Sequence, residues 1–434
     1  MSASLSLLLL FALMVALIRL KVDIGTALLV GAGGIALRFG VDWAAFPEGA
    51  AGAAKEAAAN FGRAAIAPRS LQLVGLILLI TFLGHALRHA ASLQRLIGAL
   101  KALLRDRRAA MAVAPAFVGL LPMPGGALFS APMVGELTSD VDVPREDQVL
   151  INFWFRHVWE WTWPLYPGLL FASQILDAPL ETLILAQAPL TAAAILIGAG
   201  VCFRRLRMPA EARRRPRPAR DWRELAASVW PVALVVVLTA SLGAAERLGA
   251  NLGFSTKTAL LVALAVVDPL FLALQRVPWR QVASLVRRTL QVRLIVLVYG
   301  VLAFGYMLAE YGAADAVSRE FTGWGVPAPL LLFSVPFVVG MLTGYQPGVV
   351  GTCFPLLASL IAVGGGVDYG RAAFAYAGGL CGVLLSPVHL CLVLSREYFE
   401  AEFRRVYRRL VVMVGLLAAA ALGLLFLWGA VGLG

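Results

Sequence analysis

Leu-Pro-Met-Pro-Gly-Gly-Ala-Leu-Phe-Ser-Ala-Pro at 121–132 and Tyr-Gln-Pro-Gly-Val-Val-Gly-Thr-Cys-Phe-Pro at 345–355 decide how this chain folds. Each places a Pro-Gly pair in the middle of a long apolar run, at about 109–137 and 327–360. Proline lacks an N–H and glycine adopts positive φ freely, so each pair is expected to stop one half-helix and start another. Pro124 and Pro347 stand 223 positions apart (347 − 124), as do Gly125 and Gly348, and Pro132 and Pro355. The same offset takes Pro164 to Pro387, each inside the segment that follows its hairpin. In the preceding segments Gly84-His85-Ala86-Leu87 matches Gly305-Tyr306-Met307-Leu308 at 221 (305 − 84). Pro and Gly are common here, so one coincidence means little. Four at one offset, in the same order of elements, read as an internal repeat.

Composition sets the solvent for that repeat. Of 434 residues 60% are hydrophobic and 14% charged, with a mean hydropathy of +0.82. Soluble domains are about 45–50% apolar and about 25% charged. A soluble enzyme, a disulfide scaffold and a disordered tail are excluded, and the fold class is an all-α polytopic membrane protein. A crossing helix needs about 20 apolar residues. Segments at about 3–18, 22–40, 71–88, 149–175, 183–202, 225–245, 257–275, 293–311, 372–394 and 409–431 are expected to cross. Cys202, Cys353, Cys381 and Cys391 all lie in or beside apolar segments. They read as packing residues with no metal spacing and no disulfide framework. The first segment has no basic residues before it, and Arg19 and Lys21 follow it, so it reads as a retained helix.

Charge decides which segments cross. The net charge is +12 (37 − 25), carried by arginines in short loops, the densest cluster running from Arg204 to Arg223. This is the positive-inside pattern of the cell inner membrane and not a nucleic-acid surface. If 109–137 crossed fully, the Arg204–Arg223 cluster would fall outside. Two re-entrant hairpins, the first entering from the cytoplasm and the second from outside, bring every basic loop to the cytoplasmic side and leave both termini outside. Each half then holds five crossings, an odd number, which makes the repeats inverted. The division is 1–202 for the first repeat, 203–224 for a basic cytoplasmic linker and 225–434 for the second. Residues 44–67, Ala-rich with scattered charge, read as an external helix. Inverted repeats with broken helices mark secondary transporters, whose sites lie at the repeat interface.

The candidate site residues follow from the breaks. A half-helix that starts at membrane depth presents unpaired N–H groups and a positive dipole end, which suits an anion. Substrate contacts are therefore expected from Pro124, Gly125, Gly126 and Ser130 in the first hairpin. Gln346, Pro347, Gly348, Thr352 and Cys353 are their counterparts in the second. Small residues at these places also let hairpins pack closely. Pro164, Pro167 and Pro387 free carbonyls such as those of residues 160 and 383. With Thr162 or Ser386 these offer two readings, a small-cation site or carbonyls satisfied by neighbouring hydroxyls or water. Asn152, Arg156, His157, Glu160 and His389 are polar groups inside membrane segments, where ionisable groups are functional candidates by default. His157 with Glu160 could relay protons, and Arg156 could face an anion or pair with Glu160. Asp268-Pro269 reads as a capped kink. His85 and His89 lack a third ligand, so no metal set, nucleotide loop or hydrolytic triad is assigned, and the chain is not read as an enzyme.

At these motifs the chain resembles the ion transporter superfamily of divalent-anion/sodium symporters and citrate, gluconate and C4-dicarboxylate permeases. The 122–132 hairpin, Asn152-Phe-Trp-Phe-Arg-His-Val-Trp-Glu160 and Trp163-Pro-Leu-Tyr-Pro-Gly168 look specifically like domain-of-unknown-function family 401. The resemblance implies an elevator-type carrier, usually a homodimer. Its outer helices would form the scaffold, and its hairpins and broken helices would slide with substrate. The symporters carry Ser-Asn-Thr at each tip, where this chain has Pro-Gly-Gly and Pro-Gly-Val. The function expected is a secondary active transporter of a small anionic, carboxylate-like solute in the lipid bilayer, coupled to H⁺ or Na⁺, without a cofactor. A channel on the same scaffold is the alternative, and an intramembrane enzyme or receptor-like protein the third class weighed.

Overall fold

The computed structural model describes residues 2–432 apart from 43–47, 90–103, 105, 122–124, 205, 207–221, 247 and 249–252. Pro124 and nearly all of the 203–224 linker thus lie outside the described residues. The chain is almost wholly helical. The first half contains α1 (Ala3–Arg19), α2 (Ile24–Gly40), α3 (Glu48–Ile66), α4 (Pro68–His89), α5 (Arg107–Gly119), α6 (Ala127–Thr138), α7 (Arg145–Arg156), α8 (Pro167–Ile175) and α9 (Leu180–Gly198), which ends in a π-helical turn, Ala199–Phe203. The second contains α10 (Trp222–Ala245), α11 (Thr256–Leu274), α12 (Trp279–Thr289), α13 (Val292–Glu310), α14 (Ala313–Gly323), α15 (Ala328–Thr343), α16 (Gln346–Ile361), α17 (Tyr369–Leu385), α18 (Leu390–Phe399) and α19 (Phe403–Val431). A two-stranded antiparallel ribbon, β1 (Ala362–Val363) and β2 (Gly366–Val367), joins α16 to α17.

Short polar turns start the apolar helices. Ser2, Asp23, Ser255 and Asp368 each cap a helix by accepting from the N–H three residues on, at Leu5, Thr26, Thr258 and Arg371. Among the described residues, seven helical segments are long and apolar enough to cross a membrane: α4, α9 with its π turn, α10 from Ala226, α11, α13, the α17–α18 pair and α19. The other expected crossings are helical but fail that test. α1 and α2 have 17 residues each, about 26 Å at 1.5 Å per residue, against a core of about 30 Å. The segment 149–175 is split into α7 and α8.

Both hairpins form, with one shift. Gly125 sits at the first turn with φ +70°, whereas the second turn is made by Gly344, with φ +65°, and not by Pro347-Gly348. Pro347 instead lies in the first turn of α16, where a missing N–H costs nothing. In the first broken helix the chain leaves helical geometry at His157, seven residues before Pro164 (164 − 157). In the second, Ser386 is extended (φ −66°, ψ 125°), as a residue before proline prefers to be. At Asp268-Pro269, α11 runs unbroken from Thr256 to Leu274. The Asp268 carboxylate caps nothing and makes no hydrogen bond among the described residues. The stretches between expected apolar segments at 276–292 and 312–326 contain the helices α12 and α14. On α12 Leu285 and Thr289 are buried while its arginines face outward, a one-sided pattern that the basic composition hides.

Glycines set the closest helix contacts. A Cβ on Gly340 would press into the carbonyl of Gly379, one on Gly378 into Phe333 O and one on Gly382 into Phe337 O, so α15 and α17 touch backbone to backbone. Gly25 and Gly300 do the same for α2 and α13. The two halves then exchange partners. α16 of the second hairpin packs on α8, and α6 of the first hairpin packs on α18.

Gly378→Val should lower the unfolding temperature of the detergent-solubilised protein, by the equivalent of about 1–3 kcal/mol or more for overpacking against backbone. Gly415→Ala, whose added Cβ meets nothing within 4 Å, should leave it unchanged or raised. Equal behaviour of the two would contradict the close α15–α17 contact.

Candidate functional site

A cavity of about 310 Å³ lies where the two hairpin turns meet the two helix breaks. Of the residues singled out by sequence, Gly125, Arg156, His157, Glu160, Pro167, Gln346, Pro347 and His389 line it. Four helices begin at this cavity: α6 beside Gly125, α8 at Pro167 and Gly168, α16 at Gln346 and Pro347, and α18 at Leu390 and Cys391. Each turns its positive dipole end to the same space, although Pro167 and Pro347 have no N–H to offer and some first-turn N–H groups already bond the residues just before them, as Leu169 does Tyr166 O and Leu392 does His389 O.

The carbonyls freed by the breaks are satisfied by the protein. Tyr376 Oη donates to the Glu160 carbonyl at 3.0 Å, and Tyr166 Oη to Gly119 O at 2.5 Å. The Val383 carbonyl accepts from the Ser386 N–H at 3.1 Å and faces His389 Nδ1 at 3.1 Å. Tyr407 Oη closes the Leu385 carbonyl at 2.8 Å. The small-cation reading of residues 160 and 383 therefore gives way to capping by hydroxyl, amide and imidazole groups.

The polar groups of the first broken helix are held firmly. The Arg156 guanidinium occupies the space where a Cβ on Gly126 would stand, and its carbonyl fills the place beside Gly119. His157 Nδ1 lies 2.6 Å from Phe153 O, and its Nε2 lies 3.8 Å from Glu160 Oε1. His389 Nε2 stands 3.1 Å from His157 Nε2. Asn152 Nδ2 donates to Ala127 O at 3.3 Å and Ser395 Oγ at 2.8 Å, tying α7 to α6 and α18. Gln346 Nε2 donates to Tyr376 O at 3.2 Å, while its buried Oε1 has no hydrogen-bond partner among the described residues.

Other candidates point elsewhere. Ser130 Oγ and Thr352 Oγ1 turn back to carbonyls of their own hairpins, Ala127 and Gly348, at 3.4 and 2.6 Å. Cys353 is buried off the cavity, and Gly348 packs against Ile24 and Tyr345. Thr162 Oγ1 meets Thr191 Oγ1 at 3.1 Å. Pro164 and Pro387 shape the breaks without lining the cavity, and Ser386 is buried beside Gly344. Sequence reasoning missed Tyr166, Tyr345, Tyr376 and Cys391 on the wall. Tyr166 and Tyr345 sit directly before Pro167 and the Gln346-Pro347 pair, a usable signal. Tyr376 lies inside an apolar helix and had none.

A family model described as "Protein of unknown function (DUF401)" matches residues 3–428. Among solved structures, the YdaH transporter of Alcanivorax borkumensis is similar at 16% identity and a TM-score of 0.59, covering 90% of this chain and 91% of that one. MtrF of Neisseria gonorrhoeae, from a class of antimetabolite efflux pumps, is similar at 13% identity and a TM-score of 0.49, covering 88% and 85%. At 16% identity the YdaH likeness is one of fold. No curated protein matches the sequence.

Tyr376→Phe leaves the buried Glu160 carbonyl without its donor, a loss of about 1–3 kcal/mol. The variant should unfold at a lower temperature in detergent than the parent protein. An unchanged midpoint would show that the hydroxyl does not cap the break.

Proposed function

The chain belongs to the DUF401 family, and from that premise we propose that it is a secondary active transporter of a small anionic, carboxylate-like solute, coupled to H⁺ or Na⁺. The observation that carries this reading is the convergence of four helix N-termini and the Arg156 side chain on one cavity. Backbone N–H groups aimed inward from four directions bind an anion without needing charged ligands, and a guanidinium adds a two-pronged match to a carboxylate.

The architecture supports a carrier. Residues 1–202 and 225–434 form two inverted repeats joined by the 203–224 linker. In each half two helices, an intervening one (α3 or α12) and a further apolar helix (α4 or α13) precede the hairpin and broken helix, with α14 added in the second half, and this order supports the division. The contacts of α16 with α8 and of α6 with α18 support a site at the repeat interface, where such transporters hold substrate. YdaH, whose fold the chain shares, is a transporter. The ion transporter superfamily, an elevator motion of the hairpins within a homodimer, and an inner-membrane location with basic loops in the cytoplasm complete the reading.

Proteoliposomes carrying the protein should take up labelled carboxylates saturably, driven by an imposed Na⁺ or pH gradient, and should show counterflow. Arg156→Gln should reduce uptake at least about tenfold, as expected for losing a charged hydrogen bond of about 1.5–3 kcal/mol. Single-channel currents in place of counterflow, or full uptake in the variant, would overturn the proposal.

A further inference from the structure

His157 and His389 face each other across the cavity with a proton inventory that does not close. The Nδ1 atom of His157 lies 2.6 Å from Phe153 O, and that of His389 3.1 Å from Val383 O. A carbonyl only accepts, so each Nδ1 must carry the ring's hydrogen. A neutral imidazole has no second hydrogen, which leaves both Nε2 atoms as bare lone pairs. The two Nε2 atoms lie 3.1 Å apart, with the ring planes at 79° to one another. The contact is repulsive unless an electrophile stands between or beside them. The Sγ of Cys391 completes the group, with all three donor atoms within 4.8 Å of one another. The three residues are 3%, 7% and 6% exposed.

We infer that His157 Nε2, His389 Nε2 and Cys391 Sγ bind a divalent transition-metal ion of the zinc type, with the fourth coordination position open to the cavity. This goes beyond the anion-transport reading and does not depend on it. Zinc–nitrogen bonds of about 2.0–2.1 Å set two tetrahedral nitrogen ligands about 3.3 Å apart, close to the spacing found. Imidazoles that ligate metal almost always donate their other N–H to a carbonyl or carboxylate, the arrangement both rings show. Thiolate with imidazole selects zinc-like ions over Na⁺, Mg²⁺ and Ca²⁺, which prefer oxygen. Cys391 is the second residue of α18 and lines the cavity.

Arrival of a dication with departure of the Cys391 thiol proton to solvent raises the site by one unit. The Glu160 carboxylate, 3.8 Å from His157 Nε2, and the Arg156 guanidinium on the same wall carry opposite charges, so the loaded site keeps that unit. Tyr166, Tyr345 and Tyr376 complete its ionisable wall and are neutral phenols at ordinary pH.

The test uses the full-length protein, purified in detergent, stripped with chelator and titrated with Co²⁺. One Co²⁺ per chain should bind, giving the intense visible bands of a tetrahedral ion and a thiolate-to-cobalt charge-transfer band, both abolished by Zn²⁺. Cys391→Ser should lose the charge-transfer band, and His389→Gln should weaken binding by about 100-fold or more. Cys202→Ser, away from the cavity, should keep both signals. Circular dichroism and size-exclusion elution confirm that each variant is folded. An absent cobalt signal, or one that survives in the Cys391→Ser and His389→Gln variants, would overturn the site. Nitrogen-15 NMR showing a third proton shared by the two rings in metal-free protein that binds no Co²⁺ would do so too.

Discussion

A backbone that leaves helical geometry inside a hydrocarbon layer must find every hydrogen-bond partner within the protein. Water is scarce there, and each unsatisfied carbonyl or amide costs several kcal/mol. Four interruptions in this chain meet around one cavity, and the arrangement of the surrounding residues answers that constraint. Tyr376, Tyr166 and Tyr407 reach from neighbouring elements to the carbonyls of Glu160, Gly119 and Leu385. Donors are therefore supplied to the side of the breaks that faces protein. The helix starts face the cavity, with some of their N–H groups turned back to carbonyls just before them, as Leu169 is to Tyr166 and Leu392 to His389. Their positive dipole ends stand there beside Arg156 and Glu160.

The same constraint explains the partner exchange. A hairpin cannot rest against lipid at its turn, and a broken helix cannot rest against lipid at its break. Each hairpin packs on the broken helix of its own half and also on that of the other half, α6 on α18 and α16 on α8, so each irregular stretch is covered by another. Glycine supplies the closeness this requires. Along α15 and α17 three glycines remove the side chains that would separate the helices, and the second hairpin is thereby fixed to its own half.

Much of this was legible in the residues. Proline and glycine inside apolar runs pointed to the turns between α5 and α6 and between α15 and α16, and to the interruptions after α7 and α17, because both residues act locally. What was displaced was equally local in cause. Pro347 is at home in the first turn of a helix, so the reversal fell to Gly344, the position where φ is positive. The break at His157 begins before any proline and was invisible to a search for prolines. Contacts between the halves were least legible. His157 and His389 are 232 residues apart and meet ring to ring. No spacing announces such a pair, and Tyr376 resembles any aromatic residue in an apolar helix. Ser130 and Thr352 were credible ligands by position, yet a hydroxyl one turn into a helix bonds readily to its own backbone.

The Tyr376–Glu160 hydrogen bond spans 216 residues of sequence, and this gives the site a history in time. Synthesis proceeds at about 5–20 residues per second, so the ribosome makes the first broken helix at least about ten seconds before the tyrosine that caps it. Asn152 waits longer still for Ser395. During that interval the segment has polar groups and a free carbonyl with no native partner in the bilayer. The nascent first half must therefore shelter the segment at the membrane surface, in the translocation channel or against a chaperone. The second half admits it to its final depth. Assembly of this protein is in that sense closed from its C-terminal side.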